Sequence, residues 1–532
     1  MELLMRRERQ AGGSALAALL AFLLACAAGC GGGGIRGPRF LPGPAGRIHP
    51  IYDALVIYPD TTLIINGMSY KGIELDLELE FDDPTLRDGD PHYTAEARVT
   101  SLRAGGVPQH YVLQGPLRIE GTLTGESFTT GLFGGIQVGT ANLLPELTGT
   151  LDPTRSRIDG DATLFGLANN GIFTAIKRRR YLMTGTDLLS IGKVSVVSVR
   201  YGSRFSIAKD LAVVTSDPVA RVEDGRPFVV NRYSFDTLQG FDPRSGFATS
   251  FEYSTGNGSN PHDMVVFPAG DGGTPDGLPE PDGPGLAFVT RYEPPFNDVA
   301  IVDLNDGTII DTIDLTPYAL GTAKLPRADQ ALLHEGMVYV TLQDANARFT
   351  EFETGRVAVI DPVLRDVVDV IDLDGQNPLE SFVYLEETGL FYAGMAGIFQ
   401  GLADRALTGG VEAIDPLTRR SLGLVVDDDD LGGNVSAIAI HSATRGYAVV
   451  TDDRFRNSVR VFDPSTGSVG ATVLGDVDRV AALVLDGDGF LLIAEGYFSP
   501  RLIVLDADTG HLEAILPLSL PPFSIDIMSR GL

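Results

Sequence analysis

Two rhythms of apolar and polar positions run along this chain. The first is a faultless alternation at residues 73–81, IELDLELEF. Ile73, Leu75, Leu77, Leu79 and Phe81 fall on one side, and Glu74, Asp76, Glu78 and Glu80 on the other. A period of two predicts a strand of an antiparallel sheet with one dry and one wet face. Further strands are predicted at 95–102, 117–123, 144–151 and 162–167, with turns at Asp88-Gly89, Ala104-Gly105-Gly106 and Asp159-Gly160. Residues 48–185 are therefore expected to form a small antiparallel β sandwich or barrel. Glu74–Glu80 is a ladder of carboxylates, which the alternation explains as a solvated face.

The second rhythm is a phrase that recurs: a strand, a tight turn and another strand. It is plainest as VRVFDPSTG at 459–467, and it returns as LQGFDPRSG from Leu238, VAIVDLNDG from Val299, VAVIDPVLR from Val357, VEAIDPLTR from Val411 and LIVLDADTG from Leu502. Asp242, Asp303, Asp361, Asp415, Asp463 and Asp506 anchor it, at spacings of 61, 58, 54, 48 and 43. Self-similarity of this length, built from short strands, predicts a β-propeller over residues 186–532. Each unit reads as four strands, A innermost to D outermost. In one of them A is 435–441, B 446–451, C 458–462 and D 469–474. The aspartates sit in the C-to-D turn, where Asp bonds the backbone two residues on and Gly accepts positive φ. A last apolar stretch, 523–528, reads as another A strand, with B and C partners at 181–185 and 194–201. That would close the ring with seven blades and leave no open edge. Six blades is the alternative.

Composition narrows the partners. The formal charge of -29 disfavours a polynucleotide partner. Trp is absent, which argues against WD-type and quinoprotein repeats. The two cysteines, Cys26 and Cys30, both precede residue 31, so the rest of the chain has no disulfide and no Cys-based metal site. Arg6, Arg7 and Arg9 followed by the apolar run 15–25 read as a secretory signal over residues 1–29, too short for a membrane span. The end of this signal resembles the lipobox of bacterial lipoproteins in two registers, Leu23-Leu24-Ala25-Cys26 and Ala27-Ala28-Gly29-Cys30. The resemblance implies diacylation of Cys30, with Cys26 as the alternative, and hence a membrane partner through a lipid anchor. Residues 30–47, rich in Gly and Pro, read as a tether. The localisation implied is the bacterial cell envelope, at the outer membrane.

The stretch FVVNRYSFDTLQGFDP at 228–243 resembles the YVTN-type repeat of YncE-like propellers, and AFVTRYEPPFNDVAIVD and YAVVTDDRFRNSVRVFD are similar. The likeness covers roughly 227–516 in six units. It implies binding of a ligand or partner in the cell envelope, without catalysis.

In such a ring the B-to-C and D-to-A loops surround one mouth of the channel. Several B-to-C loops carry an arginine beside an aromatic: Arg232-Tyr233, Arg291-Tyr292, Arg348-Phe349 and Arg454-Phe455. Tyr497, Phe498 and Arg501 fill this role in one loop, and Phe399 and Arg405 in another. An arginine fork suits carboxylate or phosphate, and aromatics stack on planar or apolar groups. The expected ligand is an envelope protein, a peptide, or a small anionic or aromatic molecule. The plainer reading is that these arginines pair with aspartates of neighbouring blades and brace the ring.

Catalytic signatures are sparse. No two of the seven histidines are closer than 18 residues, so no local metal motif exists and no cofactor is expected. His262 and His441 lie on or near A strands and are candidates for the channel. A lyase- or lactonase-like enzyme using His262, His334 or His441 is the competing class, and a rigid surface spacer is the third. The run Lys177–Arg180, KRRR, is either a headgroup site or a charged strand end. Asp303–Gly307, Asp486–Gly489, Asp506–Gly510 and Asp427–Asp430 lack the ligand set of a calcium loop.

Overall fold

The computed structural model describes residues 46–528, apart from 83–84, 88–89, 125–126, 139–140, 144, 153–156, 165–166, 201–203, 269–284, 322–323, 399–405 and 488. The expected signal, both cysteines, Phe399 and Arg405 lie outside the described residues. The chain divides into two compact units: Ile48–Tyr181 with Val197–Ser206, and Leu182–Val196 with Ile207–Ile527.

The first unit is a closed barrel. Among the described residues its eight long strands are β1 (Ile51–Ile65), β2 (Met68–Phe81), β3 (Asp90–Ala104), β4 (Val112–Thr124), β5 (Ser127–Val138), β6 (Pro145–Leu151), β7 (Arg157–Leu164) and β8 (Leu167–Lys177), with three short strands paired at their edges. Each pairs antiparallel with its neighbour in sequence, and β8 returns to pair with β1, Tyr52 opposite Lys177. Of the two expected architectures, the barrel forms. Alternation fills its interior: Tyr52, Val56 and Tyr58 of β1 and Ile73, Leu75, Leu77, Leu79 and Phe81 of β2 are buried in one cluster with Leu147, Ile158 and Phe173. Where β6 crosses β7, Gly149 faces Gly160, and a Cβ on Gly160 would lie 2.0 Å from the Thr148 carbonyl oxygen. Only glycine permits that approach. On the outer face Glu78 is not solvated as the ladder suggested. It accepts from Arg178 at 2.6 Å and Arg200 at 2.9 Å. Arg178 also pairs with Asp53, and Arg180 donates to the His49 carbonyl. Burial lowers the Arg180 pKa to about 10. Within the basic run, Arg178 and Arg180 are thus engaged by their own chain, as a charged strand end.

The second unit is a seven-bladed propeller, each blade a four-stranded antiparallel sheet. Blade 2 runs A Pro218–Glu223, B Arg226–Asn231, C Thr237–Asp242 and D Ala248–Ser254. Blade 3 follows at 261–314, blade 4 at 328–376, blade 5 at 378–427, blade 6 at 434–477 and blade 7 at 480–517. Blade 1 is composite. The last strand of the chain, Pro522–Ile527, is its A strand, beside B Arg179–Thr186, C Gly192–Arg200 and D Arg204–Val214. The ring thus closes as the pattern predicted. Apolar faces are buried between blades. Phe228 and Phe251 of blade 2 pack with Met264 and Val289 of blade 3, and Phe288 of blade 3 packs with Val338 and Ala358 of blade 4.

The recurrent aspartates form the C-to-D turns. Asp242, Asp303, Asp361, Asp415 and Asp463 each accept from the backbone N–H two residues on, at 2.8–3.0 Å. Four residues after the aspartate the backbone is left-handed: Gly246, Gly307, Gly467 and Gly510 take φ of 67–79°, and Arg365 and Arg419 take 55° and 53°. Those two arginines reach Asp311 and Asp369 of the preceding blade at 3.5 and 3.7 Å.

Candidate functional site: the loop face around the channel mouth

A D strand ends, and the next A strand begins, on the face that also carries the B-to-C loops. The four Arg-aromatic pairs are all on this face, but their arginines divide. Arg232 is buried, donating from Nε and Nη2 to Asp217 at 3.1 and 2.9 Å and lying over the Phe523 ring at 5.2 Å. Arg291 is buried too. It grips Asp298 from Nε and Nη2 at 2.6 and 2.5 Å and donates from Nη1 to the Thr255 carbonyl at 3.0 Å. Arg348 and Arg454 are exposed. Their loops are nonetheless held: Asn346 Oδ1 accepts from the Arg348 and Thr350 N–H groups, and Asp452 Oδ1 from those of Arg454 and Arg456. In three of these loops the aromatic takes a left-handed backbone, Tyr233 at φ 30°, Phe349 at 55° and Phe455 at 57°, a conformation that bulky residues rarely adopt. Tyr497 is half-buried, with its N–H on Asp478 Oδ2 at 3.2 Å.

Bracing runs both ways: on this face the loop arginines pair mostly within a blade, while Arg365–Asp311, Arg419–Asp369 and Arg221–Asp263 join neighbouring blades. Arg291–Asp298, Arg456–Asp476 and Arg501–Glu495 each join two residues of one blade. So does Arg356–Asp344, a buried pair with contacts of 2.9–3.0 Å that sequence reading missed. Burial raises the Asp298 and Asp344 pKa values, with the arginine opposing that rise in each case.

Between blades 3 and 4 the same face holds a layered cluster. His262, at the start of the blade 3 A strand, stacks on Tyr292 with centroids 3.8 Å apart and planes 3° apart. The Arg327 guanidinium lies over Tyr292 at 4.8 Å and Phe349 at 4.1 Å, and pairs with Glu293 at 3.0 Å. Tyr292 donates to Gln343 Oε1 at 2.6 Å. Asp329, fully buried on the blade 4 A strand, lies 2.6 Å from His262 Nδ1. Nε2 of the same ring lies 3.4 Å from Asn260 Nδ2. Of the three candidate histidines only His262 is at the mouth. His334 ends the blade 4 A strand against Tyr384 and Phe391, and His441 lies near the end of the blade 6 A strand, paired with Asp508 at 2.8 Å. Arg327 and Asp329 carry no mark in the sequence: neither sits in the repeated phrase, and only the ring brings them to Tyr292 and His262.

Below the mouth, A strands carry charge into the channel. Arg221 of blade 2 pairs with Asp263 of blade 3 and donates to Gln330 of blade 4 at 3.1 Å. Glu223 accepts from the Val266 N–H at 3.2 Å, and Asp526 of the closing strand from the Val222 N–H at 2.7 Å. Burial first, and then the neighbouring Asp526 charge, push Glu223 up to about 8. Burial pushes Asp526 up to about 6 against the pull of Arg221. Among the described residues no group of three or more His, Cys, Asp or Glu is placed to hold a metal ion, and no helix is long and apolar enough to cross a membrane.

No protein-family profile matches the chain, and no curated protein matches it in sequence. Solved structures with a similar fold include the WD40 β-propeller domain of Doa1, at TM-score 0.39 and 13% identity over 58% of this chain and 84% of that one. Another is dihydro-haem d1 dehydrogenase NirN in complex with DHE, at TM-score 0.42 and 16% identity over 66% and 75%.

Proposed function

We propose that this protein is a lipid-anchored envelope propeller of the YVTN type that binds a ligand or partner protein on its mouth face, without catalysis. The observation that carries the reading is the division among the loop arginines. Arg232 and Arg291 are consumed by ion pairs, while Arg348 and Arg454 stand exposed on loops whose backbones are already fixed. Fixed loops lose little freedom on binding, so exposed forks on them favour recognition of an anionic group. The anchor is assigned to Cys30, or in the other register to Cys26.

The test compares the two kinds of arginine. Arg291→Ala is expected to lower the melting temperature. Arg348→Ala with Arg454→Ala is expected to leave melting unchanged and to reduce retention of envelope components on immobilised protein. Unchanged retention in the double variant would refute the site. Labelling cells with an alkynyl fatty acid tests the anchor: label should be lost in Cys30→Ser and kept in Cys26→Ser.

A second reading has one observation in its favour, the His262–Asp329 pair. A buried carboxylate on Nδ1 is the arrangement that makes Nε2 a base, which would serve a lyase- or lactonase-like reaction. Turnover abolished by Asp329→Asn without loss of melting temperature would favour it.

A further inference from the structure

The run Asp427–Asp430 lacks a calcium ligand set when read alone, but the fold brings further oxygen to it. Asp428 lies in the linker from blade 5 to blade 6 and is fully buried, 0% exposed. Its Oδ2 accepts from the Gly409 N–H at 3.1 Å, and its Oδ1 has no hydrogen-bond partner. A buried carboxylate oxygen left without a donor is costly. The Asp427 carboxyl is within hydrogen-bonding reach of Asp428. Two carboxylates that close need a shared proton or a cation between them.

A second orphan comes from a different segment. Asn377, in the linker from blade 4 to blade 5, is buried at 4% exposed, and its Oδ1 also has no partner. Its amide cannot turn over to relieve this. Nδ2 donates to the Gly397 carbonyl at 3.0 Å, and an Oδ1 in that place would face another acceptor. Asn377 and Asp428 close on the same residue, because a Cβ on Gly397 would lie 3.2 Å from Asp428 Oδ2. Gly397 is fixed there. Its N–H donates to the Gln376 carbonyl at 3.0 Å, and the Ala396 N–H donates to the Asn377 carbonyl at 2.8 Å. A Cβ on Gly409 would lie 2.7 Å from the Gly397 nitrogen, so glycine is required where these backbones meet.

Both orphans are acceptors, and among the described residues no donor of the chain answers them. Arg460 of blade 6 lies against Gly432, 3.6 Å from where a Cβ would stand. Among the described residues it makes no ion pair with Asp427 or Asp428. The positive partner that the two oxygens call for is therefore not a side chain.

We propose that Asp428 Oδ1, Asn377 Oδ1 and the Asp427 carboxylate bind one calcium ion beside blade 5, on the mouth face. An all-oxygen set selects a hard cation. Magnesium demands near-ideal octahedral geometry, which oxygens drawn from two inter-blade linkers do not supply. Calcium tolerates an irregular set with water in the remaining positions. Asp427 is half-buried, so the site opens to water on its side. Two carboxylates also match a divalent charge. The ion ties together the two linkers that flank blade 5, and so fixes the seat of that blade in the ring. This goes beyond the platform reading and depends on neither the lipid anchor nor the exposed arginines.

The test is equilibrium dialysis of the purified chain, stripped with EDTA, against radioactive calcium, with melting curves beside it. The expected result is one calcium per chain with a Kd of about 10⁻⁴–10⁻³ M, the range of sites with few charged ligands. The melting temperature should rise with calcium, and much less with magnesium at the same concentration. Asp428→Asn and Asn377→Gly should each abolish uptake. Asparagine at 428 keeps an acceptor for the Gly409 N–H, and glycine suits the φ of 59° at 377. Asp430→Asn, an exposed change in the same run, should leave uptake intact. No uptake, or uptake unchanged in either site variant that folds, overturns the site. Uptake that falls equally in Asp430→Asn gives the ion to the exposed run and overturns it too. Equal stabilisation by magnesium would report screening of the -29 charge, and it also overturns the proposal. If Asp428→Asn fails to fold, Asn377→Gly decides alone.

Discussion

The barrel and the propeller are both rings of antiparallel sheet sealed by joining their first and last strands, yet they hold together differently. In the barrel the seal is one more strand pair, β1 to β8, in a single sheet around a single core. In the propeller the seal lies inside one blade of seven, and the core is divided into packets between neighbours, such as Phe228 with Met264 and Phe288 with Val338. One ring stands or falls on interior volume. The other depends on every blade finding both neighbours, and so on the strand that completes blade 1.

The largest break in this comparison is removal of residues 522–532. Blade 1 would lose its A strand, and blade 2 the contacts of Ser524 and Asp526 with the Ala220 and Val222 N–H groups. Calorimetry should show the propeller transition abolished and the barrel transition retained. Next is Phe81→Ala, which empties a fully buried site between Tyr52 and Tyr93. Such changes cost about 3–5 kcal/mol, and hydrogen exchange should show the loss in the barrel alone. Arg356→Ala leaves Asp344 buried and unpaired, which costs about 3–5 kcal/mol, this time in the propeller. Replacing both partners with apolar residues should restore most of that loss in a melting experiment.

A pH-dependent effect comes from the channel acids. Glu223 binds its proton more tightly in the folded state, at about 8, than in the unfolded chain, at about 4.3. The folded state therefore carries the extra proton between these values, and propeller stability should fall as pH rises through that window. Glu223→Gln should flatten the slope in denaturant titrations at pH 5 and pH 8. The smallest effect expected is that of Arg348→Ala, within about 0.5 kcal/mol of the parent, because the side chain is exposed.

What could be read in advance follows from the same contrast. The propeller announced itself because each blade reuses one turn, and the turn needs Asp at its start and a left-handed residue four places on. Even the ring closure was legible, since 523–528 had no partner nearby in sequence. The barrel was visible chiefly in β2. In β1 the outward residues Leu55 and Ile57 are apolar as well, which hides the alternation of Tyr52, Ala54, Val56 and Tyr58. In β5, SFTTGLFGGIQV, glycines and threonines break it. The mouth was legible as a set of loops but not as a set of roles. The phrase Arg-aromatic is the same at 232, 291, 348 and 454, and only the position of a carboxylate such as Asp217 or Asp298 decides which fork is spent. Arg327 and Asp329 were silent because their partners, Tyr292 and His262, come from another blade.

The composite first blade also sets an order of events during synthesis. Its B strand ends at Thr186, but the strand that covers its inner edge does not begin until Pro522. For all the intervening time the nascent chain carries an unsatisfied sheet edge, and the wheel cannot lock until Pro522–Ile527 has been made. The barrel, whose last strand ends at Lys177, is free to mature long before that. A premature stop codon anywhere in the final blade would therefore yield a chain with a finished barrel and an open, aggregation-prone propeller.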